Sequence, residues 1–172
     1  MSEVMVRSKF KLEEKLNEEI SSFIHEAREP EVLYVSPKKK VTYEDFLSDK
    51  MLIIRAIRMG IPYSLFNLIQ DYTPFTENDW ANILDISTKS LQRYKQAPKH
   101  YFRPLQSEKI IEMAEVTREG LDVFGDMDKF KLWLNTPNYA LGNLLPIELL
   151  RDSYGKELVV GELTRINHGI LV

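Results

Sequence analysis

The chain has 172 residues, no cysteine and a formal net charge of −3; it can form one sizeable core or two small ones, and a disulfide scaffold, a thiolate metal site and a cysteine nucleophile are excluded. Hydrophobic residues make up 44% and charged residues 28%, ordinary for a globular protein, and no apolar run reaches the ~18 residues a membrane helix needs. The polar start from Met1 to Leu12 does not read as a secretory signal, which with the absent cysteines points to the cytoplasm.

Leu12, Leu16, Ile20, Phe23 and Ala27, with Ile24 alongside, form one apolar stripe and predict a helix over residues 10–28, ended by Pro30. The stripe needs a cover, either the chain's own core or a second subunit, and the second is favoured because no adjoining motif claims it. Val32 to Pro37 reads as a short strand or extended linker, and Lys38-Lys39-Lys40 as a solvated loop. A helix starting at Tyr43 or Ser48 runs to Met59, with Gly60 as its stop. Pro62 opens the next, through Tyr72. Thr76 starts another, with Glu77 and Asp79 placing negative charge in its first turn. Pro98 and Pro104 bracket a polar stretch that reads as a break, Lys99–Ser107. Ser107 opens a longer helix through Phe124, and Asp126 caps one holding Phe130, Trp133 and Leu134. Thr136-Pro137 starts a short turn closed by Gly142, Pro146 opens a short helix through Leu150, and Val159, Leu163, Ile166 and Ile170 mark the last. The expected fold class is therefore all-α.

Residues 76–95 carry a helix-turn-helix pattern. Trp80, Ile83 and Leu84 form an inner face, Ile86 sits in the turn, Ser87 can cap a second helix, and Leu91 anchors it inward. Its outward residues are short, polar or basic, as a reader of base edges and phosphates requires. The DNA-binding candidates are Ser87, Thr88, Lys89, Ser90, Gln92, Arg93 and Lys95. From Ser87 to Leu105 there are five basic residues, Lys89, Arg93, Lys95, Lys99 and Arg103, and no acidic one, so an acidic chain confines any binding of phosphate to this segment. Asp85 stands where such turns commonly have Gly; Asp tolerates left-handed geometry but places a negative charge near DNA. The plain alternative is an ordinary helical hairpin with a solvated basic face.

The C-terminal block is the richest. Trp133-Leu134, Thr136-Pro137-Asn138, Ala140-Leu141-Gly142, Pro146, Leu149-Leu150, Gly155, Val159, Leu163, Arg165-Ile166 and His168-Gly169 together closely resemble the antitoxins of the Xre/MbcA/ParS type, partners of RES-domain toxins. The middle segment lies where that family keeps an Xre-like helix-turn-helix domain, and Gly60-Ile61-Pro62 resembles the motif preceding it. The resemblance runs from about residue 45 to the end; Asn143, in place of a second Gly, and Asp85 are its departures.

The resemblance implies an Xre-like helix-turn-helix domain over 46–104 and a small helical toxin-binding domain over 105–172; residues 1–45, outside it, are expected from their apolar stripe to be a helical extension able to oligomerise. It implies an antitoxin that blocks the active site of an NAD-degrading RES toxin and represses its own operon, as a homodimer within a toxin–antitoxin hetero-oligomer. Asn138, Leu141, Gly142, Asn143, Arg165, His168, Gly169 and Ile170 are the toxin-facing candidates, with the apolar tail Ile170-Leu171-Val172 as a plug. Trp133, Leu149, Val159 and Leu163 are expected to be scaffold. His25 and His100 are isolated, no His–carboxylate spacing suits a metal, and no catalytic or cofactor motif is present. A stand-alone transcriptional regulator that dimerises through its C-terminal domain is the other reading.

Overall fold

The computed structural model describes residues 3–26, 40–97 and 99–169, with side chains from residue 9 onward. The elements are α1 (Glu3–Glu26), α2 (Tyr43–Ser48), α3 (Lys50–Met59), α4 (Tyr63–Tyr72), α5 (Glu77–Ile83), α6 (Thr88–Lys95), α7 (Pro104–Phe124), α8 (Met127–Leu134), a 3-10 turn (Tyr139–Leu141), α9 (Pro146–Leu149) and α10 (Ser153–Asn167). Among the described residues there is no strand, only the isolated bridges Pro62–Tyr101 and Asn138–Leu144. The all-α expectation holds. The expected extended piece at Val32–Pro37 lies outside the described residues.

The helix expected to start at Tyr43 or Ser48 and run to Met59 is in fact two, one from Tyr43 to Ser48 and one from Lys50 to Met59. Asp49 ends α2 in an extended conformation and caps α3, its Oδ1 accepting the Met51 and Leu52 amides at 2.9 and 3.2 Å. This carboxylate satisfies donors that a helix start leaves open.

The chain forms two compact units, one from residues 1–72 and 97–111, the other from 73–96 and 112–172. In the first, α1 lies against α4 and α2. Leu16 and Ile20 are fully buried, Phe23 and Ile24 nearly so. The Asn17 side chain accepts the Tyr43 amide at 2.7 Å, Ser21 Oγ donates to the Val41 carbonyl at 2.9 Å, and Ser64 hydrogen-bonds Glu19. These four apolar side chains, each worth about 1.5–3 kcal/mol when buried, are covered inside the chain. The subunit contact expected for this stripe is corrected: α2 and α4 are its cover.

The break expected at Lys99–Ser107 is corrected too. Phe102 is 2% exposed and Ser107 fully buried. The Phe102 amide donates to the Ile61 carbonyl at 2.9 Å and the Tyr63 amide to the His100 carbonyl at 2.9 Å. Ser107 Oγ accepts the Ile61 amide at 2.8 Å and donates to the Phe102 carbonyl at 3.2 Å. The Phe102 ring packs on Phe66, centroids 4.9 Å apart. Gly60, at φ 88°, turns α3 into this contact; a β-carbon there would sit 2.5 Å from the Phe102 carbonyl oxygen. The following helix opens at Pro104, a residue pre-set for a first helical position, rather than at Ser107.

The second unit buries Trp80, Ile83, Leu84 and Leu91, then Met113, Val116 and Thr117 of α7, Phe130 and Leu134 of α8, and Leu150, Val159 and Leu163. Asp126 caps α8 as expected, accepting the Asp128 and Lys129 amides, both at 3.0 Å. Phe124, Phe130 and Trp133 form a ring cluster with centroids 5.8 to 6.2 Å apart. Trp133 is half-buried in it, a scaffold position.

Candidate functional site

The helix-turn-helix is built by local chemistry. Thr76 and Asp79 form a reciprocal capping box, Asp79 Oδ2 accepting the Thr76 amide at 2.8 Å and Thr76 Oγ1 the Asp79 amide at 3.2 Å. Trp80 is fully buried and Phe75 packs edge-on against it at 5.6 Å. Asp85 takes φ 52°, the left-handed turn position that its residue type tolerates. The Ile86 amide then reaches back to the Ala81 carbonyl at 3.0 Å. Ser87 Oγ accepts the Ser90 amide at 3.1 Å and opens α6.

Leu91, 2% exposed, fixes the inner side of α6. Ser87, Lys89, Gln92, Arg93 and Lys95 are exposed, while Thr88 and Ser90 are half-buried. The Ser90 hydroxyl lies 3.0 Å from that of Ser87, so its first role is in the cap. The Arg93 guanidinium lies over the Tyr94 ring at 5.5 Å. α6 thus carries three exposed cations and no acidic residue, with the Asp85 carboxylate in the preceding turn. Lys99 and Arg103 are exposed but belong to the other unit.

The second candidate surface lies after α8. Thr136 Oγ1 donates back to the Leu132 carbonyl at 2.7 Å, and it is Asn138, not Thr136-Pro137, that caps the 3-10 turn: its Oδ1 accepts the Ala140 amide at 2.8 Å. The Asn138 amide donates to the Leu144 carbonyl at 3.1 Å and the Asn143 amide to the Asn138 carbonyl at 2.8 Å. Gly142 at φ 71° and Asn143 at φ 61° make two successive left-handed residues that close the loop. Asparagine keeps the turn that a second glycine would make.

Among the toxin-facing candidates, Gly142, Asn143, His168 and Gly169 are exposed, and Asn138 is half-buried in its capping role. Leu141 is 8% exposed and its side chain is core, so it is corrected from contact to support. Arg165 is half-buried and pairs with Glu162 at 3.3 Å. Ile170 and the plug lie outside the described residues.

The turn and α10 also expose apolar side chains that sequence reasoning passed over: Tyr139 at 79%, Tyr154 at 83%, Leu158 at 58% and Leu144 at 48%. The signal for two of them was present, because Tyr154 and Leu158 are four apart and out of phase with Val159 and Leu163. α10 itself is held by Asp152, whose Oδ1 accepts the Gly155 amide at 2.8 Å, and by an ion pair from Lys156 to Glu112 of α7 at 3.3 Å.

Among the described residues no His and carboxylate groups gather as a metal site, and no helix is long and apolar enough to cross a membrane.

Comparison with known proteins gives both surfaces a context. Residues 52–115 match the antitoxin Xre-like helix-turn-helix domain, and residues 119–169 the antitoxin Xre/MbcA/ParS C-terminal toxin-binding domain. The antitoxin Xre of Photorhabdus laumondii subsp. laumondii is 30% identical over 113 residues, 65% of this chain and 76% of that protein. A chain of the M. tuberculosis MbcT-MbcA toxin-antitoxin complex shares the fold at a TM-score of 0.52 and 23% identity, covering 66% of this chain and 99% of its own. A helix-turn-helix with a basic second helix, followed by a helical domain of the toxin-binding type, places this chain in the Xre/MbcA/ParS family of antitoxins.

Proposed function

We propose that this antitoxin binds a RES-domain toxin, blocks its active site and so protects cellular NAD, and that it represses its own operon through α6. The observation that carries the first part is the match of residues 119–169 to a toxin-binding domain. The pre-shaped loop at 138–144 and the exposed apolar residues around it support it, since interface anchors are rich in tyrosine and rigid surfaces bind with less ordering cost. The second part is supported by the exposed Lys89, Gln92, Arg93 and Lys95 on a helix free of acidic residues. Gln and Arg can pair with adenine and guanine edges, and Lys with phosphate. A homodimer would set two such helices on a two-fold operator. The toxin-facing set Asn138, Gly142, Asn143, Arg165, His168, Gly169 and Ile170, and the cytoplasm as the place of action, belong to the same proposal.

The test is co-expression with the reading frame next to this gene. A RES-domain product that arrests growth and depletes NAD alone, yet is silent and co-purifies when this chain is present, is the expected result. A neighbour that is neither bound nor silenced overturns the toxin reading and leaves the regulator reading, which operator binding by the free protein would then support.

A further inference from the structure

Asp85 is the only acidic residue between Asp79 and Glu108, in a stretch that carries Lys89, Arg93, Lys95, Lys99 and Arg103. Its amide donates to the Asn82 carbonyl at 3.3 Å, and the next amide, that of Ile86, to the Ala81 carbonyl at 3.0 Å. These bonds set it in the turn two residues before the Ser87 cap, at the N-terminal end of α6. In a helix-turn-helix that end of the second helix carries the residues that meet base edges.

Nothing in the turn calls for a charge. At φ 52° the backbone is left-handed, a conformation that glycine takes freely and that asparagine tolerates as well as aspartate does. At the other left-handed positions among the described residues the chain has an uncharged one: Gly60, Gly125, Gly142, Asn143 and Gly169. The Asp85 side chain is exposed. Among the described residues it has no hydrogen-bond or ion-pair partner, the three cations of α6 included.

A bare carboxylate beside a basic DNA-reading helix repels phosphate and weakens binding to DNA of any sequence. A base that offers it a hydrogen reverses that effect, since a carboxylate accepts hydrogen bonds and never donates them. In the major groove guanine presents acceptors only, and thymine an acceptor and a methyl group. Adenine sets an acceptor nitrogen beside its amino group, whereas cytosine presents the amino group alone.

We propose that Asp85 determines sequence specificity: its carboxylate accepts a hydrogen bond from the amino group of one operator cytosine and disfavours duplexes that lack a cytosine there. The inference rests on the proposed operator binding by α6 and deepens it. Lys89 and Arg93 supply attraction; Asp85 supplies discrimination, because a carboxylate taken out of water at the interface without a donor is costly.

Full-length Asp85→Asn keeps the size of the side chain and its tolerance of the left-handed turn, and removes the charge. Wild type and variant are compared on two labelled duplexes of equal length, the region upstream of this gene and a random sequence. The variant binds the random duplex about threefold to tenfold more tightly, and its preference for the upstream duplex falls about tenfold. Replacing the C·G pairs of the upstream duplex one at a time then finds one pair whose loss costs the wild type about tenfold and the variant almost nothing. The melting temperature of the free protein stays the same. An unchanged preference, whether both duplexes gain equally or neither changes, overturns the proposal, and so does a preference that falls with no such C·G pair. A lower melting temperature with unchanged preference overturns it as well, and assigns the charge to the dipole at the start of α6. A wild type that does not prefer the upstream duplex refutes the reading of operon repression itself.

Discussion

The Leu149 carbonyl oxygen occupies the place where a β-carbon on Gly155 would have to go. That contact lets the end of α9 lie directly on the first turn of α10. Gly155→Ala is therefore expected to destabilise the protein by about 1–3 kcal/mol through overpacking, although alanine is the better helix former. Thermal unfolding of the purified protein measures it; an unchanged or higher melting temperature would contradict the contact.

Ser107 ties the start of α7 to the turn after α3 through one hydroxyl. Its Oγ accepts from Ile61 and donates to Phe102, and the residue is fully buried. Ser107→Ala leaves the Ile61 amide buried without that acceptor, at a cost of about 1–3 kcal/mol. Denaturant titration reads the loss as a lower midpoint at unchanged slope.

DNA binding should depend on α6 alone among the functional surfaces. Lys89→Ala with Arg93→Ala is expected to weaken operator binding, to relax its sequence preference through Arg93 and to lower the log–log salt slope by about one, for the phosphate that Lys89 no longer neutralises. Neutralisation of the toxin stays intact. Fluorescence anisotropy across a salt series, beside a growth assay, checks both; an unchanged slope would mean that another segment meets the phosphates.

The tail can be tested on its own. Deletion of residues 168–172 should abolish neutralisation if the chain's end plugs the toxin's active site, and full neutralisation by the truncated protein would remove the plug from the mechanism. Co-purification distinguishes loss of blocking from loss of binding.

Tyr72 gives the first unit a pH limit. Burial, then the Glu13 carboxylate 3.5 Å from its hydroxyl, raises its pKa above the ordinary tyrosine value. A raised folded-state pKa means the folded state keeps its proton longer than the unfolded one. The associated stability is full below about pH 10 and is lost as pH rises through the higher folded value. Tyr72→Phe should flatten the fall in melting temperature measured over that alkaline range.

Much of the architecture is legible because it is written in local chemistry. Thr76, Ser87 and Asp126 are caps whose partners lie within three residues, and Asp85 sits in the left-handed turn that its residue type allows. Long-range partners are not legible in that way. The stripe on α1 shows that something must cover Leu16 and Ile20, but not that α4, more than forty residues on, does so. The segment around Phe102 looks like a linker because prolines and polar residues dominate it; its weight lies in a ring that packs on Phe66 and in one amide and one hydroxyl that reach Ile61. In the 138–144 loop, Leu141 and Tyr139 are two residues apart in the chain, and only the closed turn decides that the first faces the core and the second faces water.

That loop has a consequence for how such proteins diversify. Its shape is held by main-chain bonds between Asn138, Asn143 and Leu144, one Asn138 side chain and two left-handed residues. The side chains it displays, Tyr139, Ala140 and the exposed part of Leu144, take no part in holding it. They can be exchanged without reshaping the frame, so under the proposed function a change of partner can be acquired by substitution at the display positions while the scaffold is inherited intact.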